Sequence, residues 1–242
     1  MVKTLRTAGC VFAEDEAQLI LEAARTPAEL DDMVARRVSG LPLEHIVGWA
    51  EFCGLRIAVD PGVFIPRRRT EALAREALKR LRPNTTVFDL GCGSGAVGAV
   101  LRAAHAIQLF AVDIDPAAVA CARRNLGDGV YLGDLYDPLP KGLKADLIVA
   151  NIPYVPTEAI ELMPAEARLH ENRVALDGGP DGLDVLRRVA EGAPRWLAPQ
   201  GFLLTETSRD QACAARDELT RHGLTVKVSH RDGSAVVIGQ SL

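Results

Sequence analysis

The sequence predicts an α/β fold with a mostly parallel, seven-stranded sheet that ends in an antiparallel hairpin. From Thr86 onward, short apolar runs alternate with segments of helical periodicity, and this alternation is typical of parallel strands joined by right-handed crossovers. The last two runs, at 224–229 and 234–239, are joined by a turn around residues 231–233. That connection is too short for a crossover, so these two strands must be antiparallel.

A short helical region is predicted at the N-terminus. Residues 14–25 show helical spacing with acids in the first turn, and a second helix is predicted at 26–39. Thr26 is its expected N-cap, followed by Pro27 at the first helical position, with Glu29 as a candidate capping-box partner. We therefore expect a helical N-terminal region at 1–45.

A β-hairpin is predicted next, because the apolar segments 49–53 and 55–59 flank Gly54. A helix at 71–81 ends before Pro83. These features divide the remainder into a hairpin linker at 46–66 and a main domain at 67–242. Within that domain, strands are predicted at 86–90, 108–113, 129–132, 145–150 and 200–205, and helices at 96–104, 115–126, 180–197 and 211–222.

Composition narrows the function classes. The net charge of −4 and pI of about 5.8 argue against stable nucleic-acid binding through a broad basic face. Neither a stretch of about 18 apolar residues nor a signal-peptide pattern is present, so we expect a cytoplasmic protein that does not use a membrane. The five cysteines form no C-x-x-C pair, so we expect reduced thiols and no metal site.

A glycine-rich turn joins the first strand of the alternating region to its helix. The segment from Asp89 to Ala96 contains Gly91, Gly93 and Gly95, and glycine lets a ligand approach the backbone without meeting a Cβ. A purely structural strand-to-helix turn is the alternative. Asp89 precedes the glycines, where it can either hold the turn or face an ammonium group.

Two further acids follow the next strands. Asp113 ends the second strand, 22 residues after Gly91, where a carboxylate can accept hydrogen bonds from both ribose hydroxyls. Asp134 follows the third strand and can accept from an exocyclic adenine amine. The structural alternative is that Asp113 or Asp115 caps the helix that starts near Pro116. Three acids at strand ends favour a ligand site.

The ligand predicted from these residues is S-adenosylmethionine. Carboxylates around the glycine turn would repel the pyrophosphate of a dinucleotide, whereas they suit an adenosine that carries a positive charge. The antiparallel terminal hairpin also departs from the dinucleotide-binding pattern.

The segment Asn151-Ile152-Pro153-Tyr154 ends the strand at 145–150. Pro153 cannot continue a sheet ladder, so these side chains are expected at the carboxyl edge of the sheet. The Asn151 side-chain oxygen and the Ile152 carbonyl can each accept one N–H of a –CONH₂ group, and Tyr154 can stack on the planar amide. A simple strand-ending turn is the alternative.

These motifs together resemble class I S-adenosylmethionine-dependent methyltransferases, which have a Rossmann-like sheet. More narrowly, the chain resembles the HemK/PrmC family of protein-glutamine N5-methyltransferases, which modify peptide-chain release factors at a Gly-Gly-Gln motif. The resemblance covers most of residues 40–240. It rests on the segments at 48–55, 64–67, 89–95, 111–116, 151–154 and 170–184.

The resemblance implies a catalytic set and a cofactor-binding set, without a metal. The catalytic residues are Asn151, Ile152, Pro153 and Tyr154. The cofactor-binding residues are Thr70, Asp89, Gly91, Cys92, Gly93, Gly95, Asp113, Ile114, Asp134, Leu135 and Asn151. Glu171 and Asp177 are expected to brace the active-site loop.

The chain departs from the family pattern at three places. Ile152 replaces the first proline of Asn-Pro-Pro-Tyr, and residues 67–70 read Arg-Arg-Arg-Thr instead of Arg-Pro-Glu-Thr. The helical N-terminal region is also short. Two other functions stay open at this point: methylation of an exocyclic adenine amine in nucleic acid, and a cofactor-binding module without turnover. The acidic pI and the lack of a recognisable target-recognition domain argue against the first.

Overall fold

The computed structural model describes residues 1–231 and 233–242. Asp232, in the turn predicted at 231–233, lies outside the described residues. The helices are α1 Val2–Thr7, α2 Ala13–Ala23, α3 Pro27–Val38, α4 Leu43–Val47, α5 Glu71–Leu78, α6 Ala96–Ala104, α7 Pro116–Leu126, α8 Ala165–His170, α9 Asp184–Trp196 and α10 Ala212–Arg221. The strands are β1 Trp49–Phe52, β2 Leu55–Ala58, β3 Thr86–Leu90, β4 Gln108–Asp113, β5 Val130–Leu132, β6 Ala145–Ala150, β7 Leu197–Ser208, β8 Thr225–Arg231 and β9 Ser234–Gln240.

The main sheet has seven strands in the order β5-β4-β3-β6-β7-β9-β8. The first five are parallel, while β9 runs antiparallel to both β7 and β8. The predicted sheet and its terminal hairpin are confirmed. The strand order reverses at β3, because β4 and β5 lie on one side of this strand and β6 and β7 on the other. The carboxyl ends of β3, β4 and β6 therefore border a topological switch point, where open α/β sheets bind ligands.

The sheet is covered on both faces, which explains the nearly continuous apolar strands. Val87, Leu147 and Leu204 belong to the core under α5, α6 and α7. Phe88 and Ile148 belong to the opposite core, under α9 and α10. With both faces packed, the strand ends are fixed relative to one another, and so are the side chains that follow them.

The N-terminal helices pack around their own apolar cluster, which includes Leu5 and Ile20. The helices predicted at 14–25 and 26–39 are present as α2 and α3, whereas α1 and α4 were not predicted. Thr26 accepts from the Glu29 N–H at 3.2 Å, as expected of an N-cap. The Glu29 carboxylate, however, accepts from the N–H of Arg25, one residue before the cap, so the capping box is incomplete. The domain boundaries at 45 and 66 stay a prediction.

The predicted hairpin is confirmed as β1 and β2, with Phe52 paired to Leu55 across the turn. Cys53 and Gly54 both have positive φ, which suits a tight hairpin turn. Asn125 of α7 donates to the carbonyls of Ala58 and Ser94 at 2.9 and 2.8 Å. This side chain thereby ties the hairpin to the glycine-rich turn.

Several predicted bounds were wrong. The helix predicted at 180–197 begins at Asp184, because Gly179 and Gly182 adopt positive φ in the turn before it. The helix predicted at 71–81 ends at Leu78, and β7 is longer than the predicted 200–205. The segment 157–175, for which no helix or strand was predicted, contains two 3₁₀ turns and α8. In the described parts of the chain, no helix is long and apolar enough to cross a membrane.

Candidate active site

A cavity of about 550 Å³ lies at the carboxyl ends of β3, β4 and β6. This volume is in the range of sites for small organic ligands and cofactors. Most of the residues predicted from the sequence meet there. Those that line the cavity are Gly91, Gly93, Asp113, Ile114, Asp134, Leu135, Asn151, Ile152, Pro153 and Tyr154.

The glycine turn forms the floor of the cavity. Gly91 and Gly93 have φ of 66° and 54°, a conformation that favours glycine. A Cβ on Gly91 would lie 3.3 Å from the Asn151 carbonyl oxygen, so this glycine lets the turn approach the Asn151 segment closely. A Cβ on Gly93 would meet no protein atom within 4 Å. The space beside the Gly93 Cα is therefore open to a ligand.

Asp113 is oriented by the backbone around it. Its Oδ2 accepts from the Gly93 N–H at 2.8 Å and its Oδ1 from the Asp115 N–H at 2.9 Å. Burial raises the pKa of this carboxyl group. Asp115 caps α7 by accepting from the Ala117 N–H at 2.9 Å, so the capping role falls to Asp115 and Asp113 stays available to a ligand.

Three predicted residues support the cavity from behind and do not line it. Asp89 is 1% exposed, and its Oδ2 accepts from the Gly98 N–H at 3.0 Å. This hydrogen bond fits the first of its two predicted roles, which is to hold the turn. A Cβ on Gly95 would lie 2.8 Å from Leu126, so this glycine permits close packing of α6 on α7. Cys92 is buried in the core.

The cavity lining includes Asp134, predicted to meet adenine, and two apolar residues of the predicted cofactor-binding set. Ile114 is 51% exposed and, with Leu135, offers an apolar surface beside Asp134. The Asp134 carboxylate forms an ion pair with Arg188 of α9 at 2.5 Å. Arg188 was not found from the sequence, because nothing in the periodicity of α9 distinguishes it from other exposed arginines.

The Asn151 segment forms the opposite wall. Asn151 lines the cavity, and its carboxamide makes no hydrogen bond within the described part of the chain. Ile152 is 4% exposed and belongs to the core under α9 and α10. Its backbone N–H, likewise, has no hydrogen-bond partner among residues 1–231 and 233–242. The amide group of Asn151 is thus free to bind a ligand.

Tyr154 is held at both ends by residues on and after β7. Its hydroxyl donates to Glu206 Oε1 at 3.1 Å, and its main-chain carbonyl accepts from Gln211 Nε2 at 2.9 Å. Arg69 contacts the same Glu206 oxygen at 3.2 Å. Burial raises the pKa values of both Tyr154 and Glu206. Thr70, predicted to contact the cofactor, is instead buried beside the Glu206 carboxyl group and does not line the cavity.

Glu206 is the main site residue that the sequence analysis missed. One signal was present, since an acid follows directly on the apolar strand predicted at 200–205. A carboxyl group in a buried strand is uncommon, and it requires a cation or a hydrogen-bond donor as its partner.

Two acids brace the rim of the cavity, as expected. Glu171 is buried, and its Oε1 accepts from the Ile65 N–H at 3.0 Å and from Arg67 at 2.6 Å. Asp177 accepts from the Thr157 hydroxyl at 2.6 Å and from the Gly179 N–H at 3.1 Å. Hydrogen bonds to the ionised form lower the pKa of Asp177. These contacts fix the loop after Tyr154 against the rest of the site.

The sheet and the cavity define the class of this protein. A parallel sheet that ends in an antiparallel hairpin, with a glycine turn and strand-end carboxylates around one cavity, is the arrangement of class I S-adenosylmethionine-dependent methyltransferases. Consistent with this, the model of the methyltransferase small domain matches residues 54–182. A solved methyltransferase from Pyrococcus furiosus has the same fold, with a TM-score of 0.60 at 17% identity over 88% of this chain and 100% of that one.

Curated relatives narrow the class to one family. The release factor glutamine methyltransferase of Geobacter sulfurreducens is 42% identical over 79% of this chain and 69% of its own length. That of Moorella thermoacetica is 43% identical over 76% of this chain and 68% of its own length. The chain belongs to the family of release factor glutamine methyltransferases.

Proposed function

We propose that this protein transfers a methyl group from S-adenosylmethionine to the side-chain amide nitrogen (N5) of a glutamine in a peptide-chain release factor. The observation that carries the proposal is the unpaired Asn151 carboxamide, which faces a cavity with a glycine turn on its floor. Membership of the family supports the same substrate. Because release factors act in translation, we place the reaction in the cytoplasm.

The residues around the cavity fit the cofactor. The open space beside the Gly93 Cα suits the amino-acid portion, and the oriented carboxylate of Asp113 suits the ribose hydroxyls. Ile114 and Leu135 provide apolar surface for adenine, with Asp134 at its polar edge. When bound, S-adenosylmethionine supplies an electrophilic methyl group on a sulfonium, which becomes a neutral thioether as the S–CH₃ bond breaks.

The role proposed for Asn151 and Ile152 is to orient the acceptor amide. Its nitrogen is a weak nucleophile, because the lone pair is delocalised into the carbonyl. The Asn151 side-chain oxygen and the Ile152 carbonyl each accept one N–H, which fixes the nitrogen and directs its lone pair at the methyl group. The nitrogen forms the new N–CH₃ bond and gives up one proton to water. Positioning of aligned reactants can contribute roughly 7–11 kcal/mol, so no strong base is required.

Tyr154 completes the proposed acceptor site. Its ring lies at the wall of the cavity, where it can stack on the planar amide and exclude water. The reaction moves one positive charge from sulfur to nitrogen and then to water. A site with few free charges favours this transfer. Next to the acceptor segment, the carboxylate of Glu206 is paired with Arg69, and at the cavity wall that of Asp134 is paired with Arg188.

The test is methyl transfer from radiolabelled S-adenosylmethionine to three separate acceptors. These are a release factor, the same factor with alanine for the glutamine of its Gly-Gly-Gln motif, and bulk RNA. We expect label in the first acceptor alone, at the N5 position by mass spectrometry. Label in the alanine variant would place the methyl group on another residue, and label in RNA alone would refute the proposal in favour of a nucleic-acid methyltransferase.

Asn151→Ala is expected to abolish nearly all turnover while cofactor binding is retained, because the variant loses one of the two acceptors that hold the amide. The measurements are the rate of release-factor methylation and the cofactor Kd by calorimetry. Gln108→Ala is the control, because it also removes a side-chain amide but is exposed at the amino end of β4, at the opposite edge of the sheet. Unchanged kinetics in Asn151→Ala would contradict the proposed role of the carboxamide.

A further inference from the structure

We propose that Glu206 is a positioning residue for the transfer reaction, fixing the Tyr154 ring against the acceptor amide, with Arg69 as its counter-charge. The inference rests on the proposed function and adds a residue that does not line the cavity itself. Three features of the structure carry it: the strand register, the burial of Glu206 and the two-ended hold on Tyr154.

The register of the sheet places Glu206 beside the catalytic segment. β6 and β7 are parallel, with Ala150 opposite Thr205, so the residues that follow this pair are Asn151 and Glu206. The Tyr154 hydroxyl reaches back over the end of β7 to Glu206 Oε1 at 3.1 Å. A side chain on a rigid central strand therefore fixes the tip of a ring that lies on a loop.

The stability of the folded protein does not explain why position 206 carries a buried acid. The residue is 1% exposed and lies between Thr205 and Thr207, where an aliphatic residue would bury without cost. Replacing a buried ion pair by apolar residues is often neutral or stabilising. The carboxyl group has partners in Arg69, Tyr154 and the Thr70 hydroxyl beside it, yet its Oε2 is buried without a hydrogen bond of good geometry. An acid at this position is thus expected to serve orientation.

The Tyr154 side chain needs this anchor because its ring must stack on the acceptor amide in one orientation. The main chain at Tyr154 is fixed by the hydrogen bond from Gln211, but that bond does not determine the χ angles of the side chain. The hydroxyl contact with Glu206 holds the tip of the ring and thereby restricts these angles. The guanidinium of Arg69 lies 5.8 Å from the ring centroid and neutralises the carboxylate, so the anchor adds no net charge next to the reacting nitrogen.

The test compares Glu206→Leu, Glu206→Gln, Tyr154→Phe and the double variant Tyr154→Phe/Glu206→Leu. We expect kcat of Glu206→Leu to fall by about 10- to 100-fold, the worth of a hydrogen bond to a charged group. Its cofactor Kd is expected to stay near wild type. Its thermal midpoint is expected to change little, because the Arg69 side chain is 44% exposed and water can hydrate it when its partner is lost. Glu206→Gln keeps an acceptor for the hydroxyl and should recover most of the lost kcat. The double variant should be no slower than the slower single variant, because both remove one interaction.

Glu218→Gln is the control. Glu218 is also a buried acid, paired with Arg221 and 3.2 Å from His222, but it lies on α10 and does not line the cavity. It is expected to keep wild-type kcat.

The outcomes separate the two proposals. An active wild-type enzyme with unchanged kcat in Glu206→Leu would overturn the positioning role alone. A fall in thermal midpoint that accounts for the lost activity, or additive losses in the double variant, would overturn it as well. A wild-type enzyme that methylates no glutamine substrate would refute the proposed function, and the positioning role with it.

Discussion

Replacing Asp89 with asparagine is expected to remove a pH-dependent loss of stability. Asp89 is fully enclosed by the core below the glycine turn, and burial raises the pKa of its carboxyl group from the usual 3.8 to about 7. Between these two pH values the folded protein holds a proton at Asp89 that the unfolded chain has released. The free energy of unfolding therefore falls as the pH rises through this window, and the loss is complete above pH 7.

The magnitude follows from the size of the shift. Each unit is worth 1.36 kcal/mol, so the full penalty at pH 8 is about 4 kcal/mol, of which more than half develops above pH 5. Asparagine carries no charge but can still accept from the Gly98 N–H. The stability of Asp89→Asn relative to wild type is thus expected to increase by about 3 kcal/mol between pH 5 and pH 8, whatever the fixed cost of the substitution.

The assay is urea denaturation of the cofactor-free protein at pH 5, 6, 7 and 8. Taking the difference between variant and wild type cancels the contributions of Glu171 and Glu206, whose pKa values burial also raises. Asp177→Asn is the control of opposite sign. Hydrogen bonds lower the pKa of Asp177, so its contribution is present above pH 4 and is lost only at lower pH. Parallel stability curves for Asp89→Asn and wild type from pH 5 to pH 8 would refute the reasoning.

Three further substitutions test other parts of the molecule. Gly91→Ala should weaken cofactor binding at least tenfold by calorimetry, because a Cβ at this positive φ would meet the Asn151 carbonyl at 3.3 Å. Arg37→Met should cost about 3–5 kcal/mol in urea denaturation, because it leaves the buried carboxylate of Glu16 unpaired. Ile152→Pro should keep kcat within about threefold, because the Ile152 N–H makes no hydrogen bond among the described residues and Pro153 already restricts residue 152 to extended geometry. The free energy of unfolding should change little, because loss of the buried Ile152 side chain offsets the roughly 0.4–1 kcal/mol that a proline contributes by restricting the unfolded chain.

The strands of the central sheet were predictable because they are buried on both faces. The runs at 86–90, 108–113 and 145–150 are short, apolar and bounded by turn residues, and the structure has the same bounds. The segment 157–175 was missed for the opposite reason. Its helical turns are too short to show a period, and they are held by contacts from distant segments, such as the hydrogen bond from the Asn172 N–H to Gly62.

The same distinction applies to the site. Asp113 and Asn151 were found because the carboxyl ends of parallel strands meet at one edge, so their position in the chain determines their position in space. The partners of Asp134 and Tyr154 were not found. Arg188 and Glu206 are separated from them by more than fifty residues, and their pairing depends on side-chain directions that no local pattern contains.

The departure from the family pattern at residues 67–70 can now be explained by charge. Arg67 binds the buried Glu171, and Arg69 binds the buried Glu206. An acid at position 69 would bring a second carboxylate beside Glu206, whereas Arg69 neutralises it. Of the three arginines, only Arg68 has no ion pair in the described parts of the chain. The basic run therefore consists mainly of counter-charges for buried acids, and it offers little free surface for an acidic substrate. This agrees with a neutral amide as the acceptor.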